Sequence, residues 1–565
     1  MTDVSSVTAG SPVADSPVAD RSVGLMRGTG FDLGPYARRL PLQERSLVRV
    51  LADQAVERPD HTWLVFDSGP SLTFGEAHAM VNQVAHALVD TVGEGAHVGL
   101  FLRNQVEFLP TFLGAMAAGG VAVPFNAEGR GPLLFDLVDR SDVQVLVARA
   151  DLLDRLQDLD SLGQVRLVVL VGGAGTGDAQ LPASVHAVPV VRWEDWLAGR
   201  PTTVARAFPQ FDEPALIQFT SGTTGRSKGA VYPHHFLYLY PAMVADSLSR
   251  RPEDVITTPL PLFHVAALHL VANTALHAGC TAHLKSRFSA SRYWEEVAAD
   301  GATYSVMLGP MAAIIMKTVD EAPPHRMETM FCLPAPPERE EFERRFKVKM
   351  LWHGFGMTEI YPMPMRPDVL DGAPPGTLGY PVRWMDYGVV DQHDQLLPPG
   401  DVGEMVFRPL LPHAMTRGYY KDPEASLTAF RNFMFHTGDL ASYDEDGCMH
   451  FHGRMQERLR RRGENVSAYE LEMVALRHPQ VLEAAAYGVP AELGEHDIKL
   501  DVRCREPIEL ADLYAWLQRN LPRYMVPRFL EERDGFPKTP SERIEKYKLA
   551  EQGVDRPEVY DGERR

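Results

Sequence analysis

The sequence predicts an α/β protein: a large N-terminal domain of parallel-rich sheets covered by helices, carrying a small β-rich subdomain, followed by a small α+β C-terminal unit. Three observations predict it. From residue 41 to about 290, helical and strand patterns alternate, which implies parallel sheets wrapped by helices. Residues 376–452 break into short strand-like runs between Pro, Gly and Asp turns, the mark of a β-rich unit. After Gly453, three helical patterns and two strand-like runs share about a hundred residues, the size of one small α+β unit. The expected divisions are a disordered tail over 1–30, an N-terminal domain over 31–456 and the C-terminal unit over 457–565.

Each element follows from local pattern. The first residues repeat 11–15 as 16–20, Ser-Pro-Val-Ala-Asp, and lack the basic start and apolar core of a signal peptide, so 1–30 reads as a disordered tail. Residues 46–51 and 77–88 carry apolar side chains at helical spacing. Residues 97–102, 143–148 and 165–171 are short apolar runs of the kind that form buried parallel strands, and 281–284 is a more polar one. Gly172 to Gly177 follow a strand but fit Gly-x-Gly-x-x-Gly in no register, and Pro182 interrupts any helix, so they read as an exposed loop. Residues 388–391 and 403–407 are short strands of the β-rich subdomain. Past Gly453, helices are expected at 469–477, 510–521 and 541–550, with strands at 482–487 and 498–503.

Composition narrows the function classes. A chain of 565 residues is too long for one core and divides into domains. A net charge of −19 argues against nucleic acid as the main partner, because phosphate-backbone contacts need a basic face, yet it leaves room for a local cationic pocket around a nucleotide. Cys280, Cys332, Cys448 and Cys504 are far apart in sequence and show no metal spacing or disulfide framework, which fits a reducing cytoplasm. No apolar run reaches the length of a membrane span.

The most informative stretch is 219–230, Phe-Thr-Ser-Gly-Thr-Thr-Gly-Arg-Ser-Lys-Gly-Ala, which follows the apolar run 215–217. Five hydroxyls, three glycines and two cations fall within residues 220–229. Glycines let backbone N–H groups approach an anion, hydroxyls donate to phosphate oxygens, and Arg226 and Lys228 supply charge. It is not a Walker A loop, because Ser227 precedes Lys228 and Gly229 follows it. On residues alone, a polyphosphate cradle and a flexible surface loop are equally good readings.

Four further strings accompany it: Gly354-Phe355-Gly356-Met357-Thr358-Glu359, His436-Thr437-Gly438-Asp439-Leu440, Gly453-Arg454 leading to Arg462-Gly463-Glu464-Asn465-Val466, and Pro537-Lys538-Thr539-Pro540-Ser541. In order and spacing the five resemble the signatures of the acyl-adenylate-forming (AMP-binding) superfamily, which includes acyl-CoA synthetases, non-ribosomal peptide adenylation domains and beetle luciferase. The resemblance covers roughly residues 40–550, and the Arg-Gly-Glu-Asn-Val-Ser form is similar to the crotonobetaine/carnitine-type CoA ligase branch. It implies ATP, Mg²⁺ and CoA as cofactors, and a small-molecule acid and an acceptor (CoA, an amine or a carrier protein) as partners. The oligomeric state stays open, a homodimer being one option.

The resemblance also implies roles. Thr220, Ser221, Gly222, Thr223, Thr224, Gly225 and Lys228 would hold the β- and γ-phosphates. Glu359 would hold Mg²⁺, a hard cation that prefers a carboxylate oxygen, and Thr358 would donate to the α-phosphate. Phe355, beside Gly356, offers a ring to adenine where the family has Tyr. Asp439 suits the two ribose hydroxyls, with Arg454 in support. His264, Trp352, His353 and Gly354 would line the acid pocket. The C-terminal unit over 457–565 would be a small mobile α+β C-terminal lid with Glu457 as its hinge, and Gly463 would enter the site beside CoA in the second half-reaction. Arg458, Arg460, Arg461 and Arg462 read equally as a CoA-phosphate attractor and as a solvated lid surface.

Two departures bear on chemistry. The family's late Lys, which bridges the acid and the α-phosphate, aligns with Arg543; Arg keeps the charge but is planar and bulkier. Residues 330–337, Met-Phe-Cys-Leu-Pro-Ala-Pro-Pro, stand where the family often has a glycine-rich turn, which favours a small or aromatic acid over a long fatty acid. The leading reading is an ATP-dependent acid–CoA ligase working through an acyl adenylate. The alternatives are adenylation of an acid such as nitrite with transfer to an aromatic amine, a carrier-protein or amide-forming ligase, and a degenerate nucleotide-binding protein.

Overall fold

The computed structural model of the chain describes residues 24–563 apart from 68, 173–181, 221–226, 334, 337, 364–375, 456–457, 462–463, 491–495, 522, 524 and 540–542. The expected parallel layers are present. An eight-stranded sheet has His97–Phe101 between Val121–Pro124 and Val143–Arg149, all parallel. These strands are almost wholly buried, as near-continuous Val and Leu runs require when helices cover both faces. A seven-stranded sheet places Val255–Thr258 between Tyr304–Met307 and Thr281–Leu284, again parallel. Helix Phe74–Val92 starts on a capping box in which Thr73 and Glu76 satisfy each other's backbone N–H groups. Helix His234–Ser247 is buried along its whole length, as a helix apolar on most sides must be. The Gly172 loop expected after strand Leu167–Val171 lies largely outside the described residues.

The β-rich subdomain is a six-stranded sheet whose antiparallel core is Met385–Val390, Gly403–Pro409, Phe435–Tyr443 and Met449–Arg454. One of its outer strands is Met26–Arg27, which lies inside the expected disordered tail 1–30 and corrects that expectation at these two residues; residues 1–23 lie outside the described residues. The cause is pairing with a distant part of the chain: Arg27 Nε donates to Asp386 Oδ1 at 2.7 Å, and the Gly28 N–H donates to the Met385 carbonyl at 2.8 Å. A Cβ on Gly28 would stand 2.0 Å from the Val382 carbonyl oxygen, so only glycine allows this approach.

Beyond Arg454, strands Val481–Pro490, His496–Cys504, Phe529–Glu532 and Tyr560–Asp561 make a four-stranded sheet. Helices Ala468–Ala475 and Leu510–Asn520 pack with it over a separate core containing Leu471, Leu500, Leu513 and Leu517. The helix expected over 541–550 begins only at Lys546. The Thr539 N–H donates to the Arg543 carbonyl at 2.7 Å and Lys538 bridges Ile544, so Arg543 and Ile544 are engaged in extended pairing and not in a helix. Among the described residues no helix is long and apolar enough to cross a membrane.

Candidate active site

The hydroxyl-rich loop grows from the end of the eight-stranded sheet. Strands Pro214–Phe219 and Gly229–Pro233 pair antiparallel, Phe219 opposite Gly229, so the chain leaves and returns at one place. Thr220 and Lys228 close the neck: the Thr220 N–H donates to the Lys228 carbonyl at 2.8 Å and the Lys228 N–H donates to Thr220 Oγ1 at 3.3 Å. The Ser227 hydroxyl donates to the Thr220 carbonyl. Arg140 braces the return by donating to the Ser227 carbonyl at 2.9 Å. Ser221, Gly222, Thr223, Thr224 and Gly225, the expected phosphate ligands, lie outside the described residues.

Lys228 is directed across the sheet end, its Nζ 5.0 Å from the centroid of the Tyr419 ring. Tyr419 is the link between two strings, because its hydroxyl donates to Glu359 Oε1 at 2.7 Å. Glu359 sits in the turn between strands Phe355–Met357 and Ile360–Met363 and is only 4% exposed. Burial pushes its carboxyl up, while the Tyr419 hydrogen bond and the charges of Lys228 and Arg454 draw it back part of the way. The neighbouring Thr358 is held through its carbonyl, which accepts from the Tyr232 hydroxyl. Gly356 is required by space: a Cβ there would lie 2.3 Å from the Tyr361 ring. Gly354 has φ +121, a backbone conformation that favours glycine. Phe355 is buried and stacked on Phe407 at 6.2 Å between centroids, so a nucleotide base would share its ring with that contact. Trp352 and His353 precede it edge to face at 5.9 Å, with the Arg339 guanidinium 5.2 Å from the Trp352 centroid.

Asp439 and Arg454 face each other across strands Phe435–Tyr443 and Met449–Arg454, with Arg454 Nε 3.4 Å from Asp439 Oδ1. The turn that presents Asp439 hangs on one carboxylate. Glu404 accepts from His436 Nδ1 at 2.9 Å, from the Gly438 N–H at 2.9 Å and from Arg431 Nη2 at 2.6 Å. Burial would raise its carboxyl, but these donors more than offset that and hold it low.

His264 caps a short helical turn, its Nδ1 accepting from the Ala266 N–H at 3.5 Å. Burial, with the nearby charge of Arg543 adding to it, pulls the imidazole down to about 4, so it is neutral at physiological pH. Arg543 therefore reaches from the C-terminal unit toward the N-terminal site. The two units also touch where Phe451 meets Tyr469 edge to face at 5.3 Å. Glu457 and Gly463 lie outside the described residues. Lys228, Glu359, Arg454 and Asp439 are thus brought together, and His264 with Arg543. Tyr419, Tyr232 and Glu404 were not anticipated. An acidic residue inside the apolar run 403–407 was the available signal for Glu404; Tyr419 follows Gly418 like any core aromatic and carried none.

Comparison with known proteins gives a consistent result. Residues 51–420 match the AMP-binding enzyme family and 470–543 match the AMP-binding enzyme C-terminal domain. A crotonobetaine/carnitine–CoA ligase of Salmonella agona (strain SL483) is 29% identical over 517 residues, covering 87% of this chain and 96% of that protein. Among solved structures, an anthranilate CoA ligase in complex with anthranoyl-AMP superposes with a TM-score of 0.79 at 22% identity, covering 91% of this chain and 98% of that one. A benzoate CoA ligase from Burkholderia xenovorans LB400 superposes with a TM-score of 0.76 at 24% identity, covering 89% and 99%.

Proposed function

Because the chain belongs to the AMP-binding enzyme family, we propose that it joins a small acid to CoA through an adenylate made from ATP. The observation that carries this reading is Glu359, a buried carboxylate held by Tyr419 and facing the charges of Lys228 and Arg454, the latter paired with Asp439. In the first half-reaction a carboxylate oxygen of the acid attacks the α-phosphorus and the bond to the β-phosphate oxygen breaks, releasing pyrophosphate. In the second, the CoA thiol attacks the acyl carbon and AMP leaves. Negative charge spreads over phosphoryl oxygens in the first transition state, so the protein's task is in-line positioning and charge neutralisation.

The proposed roles are those the family resemblance implies. Lys228 and the loop from Thr220 grip the phosphate tail, Thr358 reaches the α-phosphate, and Asp439 with Arg454 takes the ribose. Glu359 fits a hard divalent cation, since burial disfavours its bare charge. Mg²⁺ bound with ATP would supply neutralisation of the leaving pyrophosphate. Arg543 would hold the acid's carboxylate against the α-phosphate by its fork of donors, and the C-terminal unit from 457 onward is the lid that carries it. Trp352, held by Arg339, and the bulky run at 330–333 support a compact or aromatic acid.

The test is pyrophosphate release with ATP, Mg²⁺ and a panel of acids including nitrite, with and without CoA. Release with a carboxylic acid, and CoA-dependent thioester formation, support the reading. Release only with nitrite and an aryl amine, or transfer only to an amine or carrier protein, replaces the acceptor. No release with any acid supports a degenerate binding protein.

A further inference from the structure

The hairpin that presents Asp439 and Arg454 closes at its far end on Asp444-Glu445-Asp446-Gly447. We propose that this end is a binding site for a borderline divalent cation such as zinc, held by Asp444, Cys448 and His450.

The strand pattern sets the donors up. Cys448 stands just before strand Met449–Arg454 and His450 is that strand's second residue, two positions on, and their donor atoms lie together. Asp444 turns back toward them. Its Oδ1 accepts the N–H groups of Asp446 at 3.1 Å and Cys448 at 2.9 Å, which fixes the carboxylate and leaves Oδ2 facing His450. That second contact, Oδ2 to His450 Nε2, is 3.5 Å, at the outer limit of a hydrogen bond. One carboxylate oxygen, one thiol sulfur and one imidazole nitrogen all lie within 4.8 Å of one another. Around a tetrahedral zinc with bonds of about 2.0–2.3 Å such donors sit about 3.3–3.6 Å apart, so a modest inward shift closes the site. A fourth position is left for water or for the Tyr380 hydroxyl, which is hydrogen-bonded to Cys448.

Charge favours a cation here. Asp401 and Glu445 bear on the Tyr443 hydroxyl, and Asp446 is in the same turn. Among the described residues no Lys or Arg pairs with Asp401, Asp444, Glu445 or Asp446, so the negative field at the hairpin end is not neutralised by the protein. A second trio of similar composition, Asp394, Glu404 and His436, makes the contrast: Arg431 and Asn432 already occupy its carboxylates. On binding, Cys448 releases its thiol proton to solvent and coordinates as thiolate, and His450 offers its Nε2 lone pair.

Cobalt(II) titration of the full chain tests this, because a thiolate ligand gives a charge-transfer band and a four-coordinate ion gives intense visible bands. The expected result is one equivalent bound with both features, displaced by zinc. C448S should abolish the charge-transfer band, H450A and D444N should weaken binding at least about tenfold, and C504S should change neither. If C448S fails to fold, H450A and D444N with proton release on zinc addition carry the test. Absence of a charge-transfer band in wild type, its survival in a folded C448S, or binding unchanged in both H450A and D444N overturns the site.

Discussion

Replacing Tyr419 with Phe removes one hydroxyl and keeps the ring that faces Lys228. The bond lost is a 2.7 Å donation to a carboxylate that is 4% exposed, so water cannot substitute for it. Hydrogen bonds to charged groups contribute about 1.5–3 kcal/mol. At 1.36 kcal/mol per tenfold, that is about 10–150-fold in the kcat/KM for pyrophosphate release, if Glu359 must be ionised and in place. The pH dependence gives a second readout. The Tyr419 hydroxyl favours ionised Glu359 against a burial that raises its pKa, so losing it raises that pKa further and moves the acid limb of activity to higher pH. Stability follows the same sign. A carboxyl whose folded pKa lies above its unfolded value binds protons more readily when folded, so the ionised group costs stability as pH rises through that window. The variant's deficit in urea unfolding is therefore full above the folded pKa of its Glu359 and shrinks as pH falls through that pKa. A folded Y419F with wild-type rate and an unmoved acid limb would refute the reasoning that Tyr419 holds Glu359 for catalysis.

Glu404→Gln loses the charge that gathers His436, Gly438 and Arg431. We expect about 2–3 kcal/mol, below the usual loss for a broken buried ion pair because Arg431 reaches solvent, measured by urea unfolding. Glu404 is held low, so its contribution is present above the unfolded carboxylate range and lost as pH falls through the folded pKa; the stability profile of E404Q should be flatter on its acid side. Gly356→Ala drives a Cβ to 2.3 Å from the Tyr361 ring, which should cost about 1–3 kcal/mol in thermal unfolding and disturb the Thr358–Glu359 turn enough to slow adenylation. Arg543→Ala should slow pyrophosphate release with little change in the KM for ATP, and Arg543→Lys should restore much of the rate; full activity in the Ala variant removes the assignment.

How much of this was legible in sequence depended on the range of the forces involved. The parallel strands were read because burial on both faces leaves continuous apolar runs, and 97–102, 143–148 and 165–171 became strands at nearly those limits. The motif strings were read because glycines, hydroxyls and carboxylates in close sequence have few other uses. The failures were matters of long-range pairing. Met26–Arg27 is too short and polar to announce a strand; it is one because Asp386 and Met385 stand ready to receive it. The helix expected from 541 starts late because Arg543 and Ile544 pair with Thr539 and Lys538 before Lys546 begins the helix. Tyr419 matters through a contact 60 positions away in the chain, which no local periodicity encodes.

The small outer strand at Met26–Arg27 has a consequence for handling the protein. It covers backbone groups of Tyr387 and its neighbours that would otherwise form an open, hydrogen-bonding rim. A chain trimmed to begin after Gly30 would bare that rim along a strand buried on all six residues, Met385–Val390, and invite a second molecule to pair there. Residues that touch none of the candidate catalytic groups would then govern whether the enzyme stays in solution.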